Sequence, residues 1–215
     1  MAKQTAALDI LAPGRFTLGV GVGWREDESE LLGADFEHRG AVTDEAIQVL
    51  RALWRDPKAS FDGRFFQFSN AVMFPKPVSG GPPIWVGGST EFAARRAARV
   101  GCDGWIPFGL GVDDLKSRVT MLRELTQSKS MPKIALEAGV LVYPNGQEPP
   151  GSLPPYHFEA KIAGYPDQII RQLKAYEEIG LEYLLCIFHV DKIHDQLEQM
   201  RLFAEQVMPH FSDIE

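Results

Sequence analysis

The residue types best suited to chemistry fall at four places in the chain. The first is Gly87-Gly88-Ser89-Thr90, between the apolar run Ile84-Trp85-Val86 and an Ala-rich segment with helical spacing. Two glycines let a ligand come close to the backbone, two hydroxyls can donate, and the first amides of a helix have no partner inside it. A phosphate ester suits that combination, because the helix dipole and the amides both favour an anion. The alternative is a tight turn with an N-cap. No Gly-Lys-Ser/Thr follows, so this is not a Walker loop.

The second place is Phe16 to Trp24, where Gly19, Gly21 and Gly23 alternate. Its first half reads as a buried strand and its second half as a strand end that admits a flat ligand. Gly21, Gly23 and Trp24 then suit contact with a ring, and close packing of the glycines is the alternative. No helix opens straight after them, so a dinucleotide fingerprint is excluded. Asp27 and Glu28 follow as an acidic turn. The third and fourth places, Trp105 to Phe108 and Phe188 to Val190, end two further apolar runs. Trp105, Phe108 and His189 are candidates for a substrate pocket. His189 is also the one candidate for a proton carrier, with a plain loop histidine as the alternative. There is no Gly-x-Ser-x-Gly and no His-x-x-x-His, so no metal site is expected. Without an internal acid–base set, a bound cofactor is the expected carrier of the chemistry.

The elements that position these residues follow from periodicity and breakers. Helices are expected over 3–11, 43–55, 90–100, 113–127, 166–179 and 192–207, and buried strands in the first half of 16–24 and at 84–87, 104–107, 134–143 and 183–189. Ala6, Ala7, Ile10 and Leu11 are expected to face inward on the first helix, and Ile193, Leu197, Met200, Phe203 and Val207 on the last. Residues 58–83, with a hairpin turning at Asp62-Gly63, read as an insertion within one domain spanning 1–215. Short apolar strands alternating with helices predict an α/β fold, either a doubly wound sheet or a (β/α)-barrel, with ligands at the carboxyl ends of the strands.

Composition sets the wider limits. The chain has 215 residues, 45% hydrophobic and 24% charged, with a net charge of -7. That balance argues against nucleic acid and against an anionic membrane surface as partners. Its two cysteines, Cys102 and Cys186, are far apart and lack metal-ligand spacing, which points to a reduced, cytoplasmic setting. Cys186, in an apolar run, is expected in the core.

The sequence also resembles a known family. Ala2 to Leu11, Gly14-Arg15-Phe16 leading into Gly19 to Trp24, Phe36 to Arg39 before Asp44-Glu45, Arg51-Ala52-Leu53-Trp54, and Phe74-Pro75-Lys76-Pro77 carry the likeness. So do Pro83 to Ser89, Arg95 to Arg99 and Gly104 to Pro107. Together they resemble the bacterial luciferase-like monooxygenase superfamily, with details closest to its deazaflavin-dependent branch. The resemblance implies a (β/α)8 TIM-type barrel that binds coenzyme F-420 or FMN and transfers hydride through it to or from a small-molecule substrate. It places the cofactor phosphate at Gly87, Gly88, Ser89 and Thr90, and the ring beside Gly21, Gly23 and Trp24. It also implies a C-terminal part only, with the first three βα units missing: either the sequence is truncated, or the chain folds with a partner, as a homo-oligomer or with a complementing chain.

Overall fold

The computed structural model describes residues 1–127, 130–146, 162–188, 190 and 192–211. The fold is α/β, and the described strand pairings are parallel except in one hairpin. The chain divides into two compact units, Met1–Trp105 with Leu125–Pro132, and Ile106–Glu124 with Lys133–Glu215.

The first unit holds α1 (Ala2–Leu11), β1 (Leu18–Val20), α2 (Glu26–Leu31), α3 (Arg39–Arg55), the hairpin β2 (Ala59–Asp62) and β3 (Gln67–Ala71), β4 (Ile84–Gly87) and α4 (Glu91–Arg99), and it begins β5 (Gly104–Ile106). β1 lies parallel to β4, with Leu18 opposite Ile84 and Val20 opposite Val86. Asp103 fastens the start of β4 twice: its amide donates to the Ile84 carbonyl and its carboxylate accepts from the Ile84 amide, both at 2.8 Å. As its periodicity predicts, α3 buries Ile47, Leu50 and Trp54.

Polar side chains at helix ends fasten this unit. Arg51 donates to the carbonyls of Val100 and Gly101, which close α4. Lys76 donates to the carbonyls of Leu53 and Asp56 at the end of α3, at 2.8 and 2.6 Å. A cation suits both places, because the last carbonyls of a helix have no partner inside it and carry the negative end of its dipole. Trp54 donates its indole N–H to the Ala2 carbonyl at 3.1 Å. Asp44 on α3 accepts from Arg96 and Arg99 on α4. Next to it, the Glu45 carboxylate accepts from the amides of Arg64, Phe65 and Phe66 at 2.8–3.2 Å and so holds the hairpin turn.

The second unit holds α5 (Val112–Leu125), β6 (Lys133–Val142), β7 (Ile162–Gly164), α6 (Pro166–Ile179), β8 (Tyr183–Ile187), α7 (Ile193–Gln206) and a 3₁₀ turn at Met208–Phe211. β6 pairs in parallel with β7 through Val140–Val142 and with β8 through Ala135–Gly139. It is buried almost throughout, as a strand covered on both faces must be. α6 starts at Pro166 and stops at Gly180, whose φ of 105° is the left-handed cap the sequence signals.

Several expectations fail for identifiable reasons. Eight strands are present among the described residues: the five expected, the two of the expected hairpin, and the three-residue β7, which is too short to give a signal. β1 is half-exposed rather than buried. On α1 the buried residues are Thr5, Ala6 and Asp9, while Ile10 and Leu11 face solvent. The helix is turned that way because Asp9 accepts from the Val78 amide at 2.8 Å. On α7, Leu202, Phe203 and Val207 are buried but Ile193, Leu197 and Met200 are exposed. Here Gln199 sets the rotation: its amide accepts from the Val142 N–H at 2.7 Å and donates to the Val142 carbonyl at 3.0 Å, turning its own face to β6. Cys186 is half-buried, not fully in the core.

Candidate functional site

Because β1 and β4 are parallel, their carboxyl ends emerge at the same end of the sheet. Gly21 and Gly87 each follow directly on the last paired residues, Val20 and Val86. Strand pairing therefore brings two of the sequence-selected places together inside the first unit. The arrangement is that of strand ends in open or closed parallel sheets, where ligands bind.

At the β1 end the backbone is bare. A Cβ added at Gly19, Gly21 or Gly23 would meet nothing within 4 Å, so the glycines do not serve close packing. Gly23 also has φ of 79°, which favours glycine. Trp24 is 83% exposed, and the Arg25 guanidinium lies 5.9 Å from its ring centroid. Arg25 also pairs with Asp27 and lies 3.4 Å from Glu28. Its hydrogen bond holds the Asp27 carboxyl below its usual range, so this acid is a stable carboxylate.

At the β4 end, Gly88 is exposed with φ of 121°, and a Cβ there would lie 2.9 Å from Ala93 Cβ. No other residue fits this position without moving α4. Thr90 is the N-cap: its Oγ1 accepts from the Ala93 amide at 3.3 Å, and its carbonyl accepts from Ala93 and Ala94. The Thr90 side-chain oxygen is thus engaged by the helix. Ser89, half-buried, lies between them, and of the first-turn amides of α4 only those of Glu91 and Phe92, ahead of the Ala93 amide that Thr90 holds, lack a partner within the helix. Glu91, the acid at this anion-favouring end, has Arg95 3.7 Å away.

Trp105 is fully buried, which corrects its place among substrate contacts: a ring with no exposed surface meets no substrate at this position. Its indole N–H donates instead to the Gly88 carbonyl at 2.9 Å. Phe108 lies in the second unit and is half-buried. Its backbone forms a parallel bridge to Glu137, flanked by Gly109 N–H to Glu137 O at 2.8 Å and Glu137 N–H to Pro107 O at 2.9 Å. His189 and Asp191 lie outside the described residues. Phe188, the residue before His189, packs edge-on against Phe203 with ring centroids 5.8 Å apart.

One feature of the second unit had no signal in the sequence beyond the continuous apolar run that holds Leu184, Cys186 and Phe188. These three, with Leu173, Met200 and Phe203, line an apolar cavity of about 510 Å³. Burial pushes the Cys186 thiol up to about 11, and the Cys102 thiol likewise to about 11. Neither is a thiolate nucleophile at neutral pH. Among the described residues no group of three His, Cys, Asp or Glu side chains is placed to hold a metal, and no helix is long and apolar enough to cross a membrane.

The family model for luciferase-like monooxygenases matches residues 1–148. An uncharacterised protein of Mycobacterium tuberculosis is 36% identical over 126 residues, a match that covers 58% of this chain and 44% of the relative. The chain thus spans less than half the length of such mycobacterial relatives. An FMNH(2)-dependent dimethylsulfone monooxygenase of Pseudomonas fluorescens is 26% identical, covering all of this chain and 70% of the relative. Among solved structures, an F420-dependent secondary alcohol dehydrogenase in complex with an F420-acetone adduct superposes on 99% of this chain and 74% of its own, with a TM-score of 0.76 and 20% identity. The family match starts at residue 1, and this fold likeness extends over nearly the whole chain. The expectation of a C-terminal part only, with three βα units missing, is therefore not borne out.

Proposed function

The chain belongs to the luciferase-like monooxygenase family, and on that premise we propose that it is an oxidoreductase of this class that binds coenzyme F-420 or FMN where β1 and β4 end. The observation that carries the proposal is the parallel pairing of β1 with β4, which sets the bare Gly21–Trp24 backbone beside the Gly87–Thr90 turn. The residues fit such a group. Open space over Gly21 and Gly23 suits the flat ring, with the exposed indole of Trp24 at its border. The exposed Gly88–Ser89 backbone and the start of α4 suit its phosphate. Relatives that use FMNH2 and F420 support both cofactor alternatives.

When bound, the ring supplies hydride transfer; the protein's part is to bind, orient and exclude water. Thr90 caps α4 by taking the Ala93 amide, and so fixes the start of the helix whose positive end would face the anion. Gly21 and Gly23 let the ring lie against main chain without a side chain between them. Phe108 and His189 are the proposed contacts of a small-molecule substrate, and His189 the proposed proton carrier.

The same proposal takes residues 1–215 as one (β/α)8-type domain with 58–83 as an insertion, in a reduced, cytoplasmic setting. It includes assembly as a homo-oligomer or with a complementing chain. Supporting that, β8 pairs only with β6 among the described residues, and its Tyr183 and Leu185 are more than 40% exposed. An edge strand with exposed apolar residues favours a covering partner.

Titration of the chain with FMN and with F-420, followed by cofactor fluorescence, tests the function. Micromolar binding of one of them is the expected result. Binding of neither refutes the proposal.

A further inference from the structure

We infer that the apolar cavity of the second unit is a binding site for a small amine with an apolar body, such as an alkylamine. The inference goes beyond the cofactor reading, because Gly21, Gly23, Trp24 and Gly87–Thr90 are not among the residues that line the cavity. Its volume of about 510 Å³ falls within the roughly 300–1,000 Å³ of small-molecule sites. One wall is β8. Alternate residues of a strand share a face, and Leu184, Cys186 and Phe188 line the cavity while the exposed Leu185 does not. Leu173 of α6 and Phe203 of α7, both buried, complete the apolar lining from two helices. Burial keeps the Cys186 thiol protonated, so this wall carries no charge. Apolar cavities of this kind stay dry and take up apolar molecules.

Two features of the lining define the occupant. Met200 and Met208 are 48% and 39% exposed, and both border the cavity. Methionine is unbranched and adapts to irregular shapes, so a guest can draw both side chains over itself and remove them from water. The second feature is charge. Glu177 and Glu182 also border the cavity, and both are exposed. Among the described residues neither carboxylate forms an ion pair. Lys133 lies near Glu182, but its ammonium donates to the Tyr183 hydroxyl at 3.1 Å and sits 5.3 Å from the centroid of that ring. On α7, Arg201 is engaged by Glu198 and Glu205. Two carboxylates against one ammonium leave this border negative. A carboxylate head, as on a fatty acid, would be repelled there; an ammonium head would be held while its apolar body filled the cavity.

Titration calorimetry with octylamine, octan-1-ol and octanoate, which share an apolar body and differ in head charge, tests the site. Each is kept below its micelle concentration. Octylamine is expected to bind, octan-1-ol about tenfold more weakly and octanoate more weakly still, since two exposed carboxylates contribute about threefold each. Shortening the amine is expected to weaken binding about fourfold per methylene removed. Glu177→Gln and Glu182→Gln should each weaken octylamine binding about threefold and leave that of octan-1-ol unchanged. Ala204→Trp, at an exposed lining position, fills the cavity from its border and should abolish binding of all three. Carbon-13 methyl signals of the methionines give the location. Octylamine is expected to shift those of Met200 and Met208 and not that of Met73, in the first unit. Should Ala204→Trp not fold, these signals decide on the unaltered chain. Equal affinity for octylamine and octanoate overturns the inference, as does binding that leaves Met200 and Met208 unmoved. Absence of octylamine binding also overturns it; if the Met200 and Met208 signals then move with protein concentration, a second copy of the chain covers this surface instead.

Discussion

Replacing Asp44 by alanine removes the acceptor that holds two arginines of α4 to α3. The two arginines are not equivalent. The Arg96 side chain is 10% exposed and that of Asp44 13%, with Arg96 Nε 2.6 Å from Asp44 Oδ1. Arg99 is 67% exposed. Gly40 makes room for Arg96, because a Cβ there would run into its guanidinium. With Asp44 gone, Arg96 is a nearly buried cation without its counter-ion, and breaking such a pair costs ~3–5 kcal/mol. Its remaining exposure favours the lower end, about 3 kcal/mol. Losing the exposed Arg99 partner costs ~0–1 kcal/mol. Urea unfolding followed by circular dichroism reads the difference. With a slope of about 2 kcal/mol per molar, Asp44→Ala lowers the midpoint by about 1.5 M and Arg99→Ala by less than about 0.5 M. Adding Arg96→Met to Asp44→Ala recovers most of the loss, since it takes away the stranded charge. Equal small shifts for Asp44→Ala and Arg99→Ala would refute the reasoning, because burial would then have no bearing on what the pair contributes.

Two further outcomes concern titration. Burial pushes the Glu45 carboxyl up, but the amides of Phe65, Arg64 and Phe66 more than offset that, and its net position is below the usual range. A lowered native value means the contribution is full above the ordinary glutamate value, about 4.3, and is lost as the pH falls through the native one. Limited proteolysis at the 63–66 turn is therefore expected to speed up below about pH 4 and, in Glu45→Gln, to be fast at neutral pH as well. For Cys102 and Cys186, thiols at about 11 against an ordinary 9.0 hold about 100-fold less thiolate at pH 8. A colorimetric thiol reagent should label the folded chain correspondingly slowly and both cysteines at once in urea; rapid labelling of the folded chain sinks the assignment. The sign for stability is opposite to that of Glu45, since a raised acid value stabilises below the ordinary thiol value and is lost as pH rises toward 11.

The local signals in this sequence were the legible ones. α6 could be read to the residue, because Pro166 and Gly180 are start and stop marks whose physics is confined to a few bonds. β6 was legible within a residue at each end because ten apolar-dominated positions leave few alternatives. The rotations of α1 and α7 were not legible. Each has apolar residues on more than one face, and the choice is made by one polar contact, Asp9 to Val78 or Gln199 to Val142, that periodicity does not encode. The candidate site divides in the same way. Gly21 and Gly87 followed from the rule about strand ends, which needs only local spacing. Trp105, read as a substrate contact, is fully buried, and an aromatic at a strand end gives no sign of which way it points. Arg51 and Lys76 entered only through family likeness, and Trp54 was legible as an inner-face residue of its helix but not as a donor; the hydrogen bonds all three make need partners 20 or more residues away.

The anchoring of α1 has a consequence for how the protein is made. Its two fixed points are the Ala2 carbonyl, held by Trp54, and the Asp9 carboxylate, held by the Val78 amide. Those partners are 52 and 69 residues downstream. A ribosome adds roughly 5–20 residues per second, so α1 waits roughly 3–14 seconds for its second anchor to be synthesised. During that interval Leu8, Ile10 and Leu11, exposed even in the finished fold, belong to a ten-residue helix too short to be stable alone. A helix that precedes both of its anchors in the chain is secured only once the downstream segment that carries them has been made.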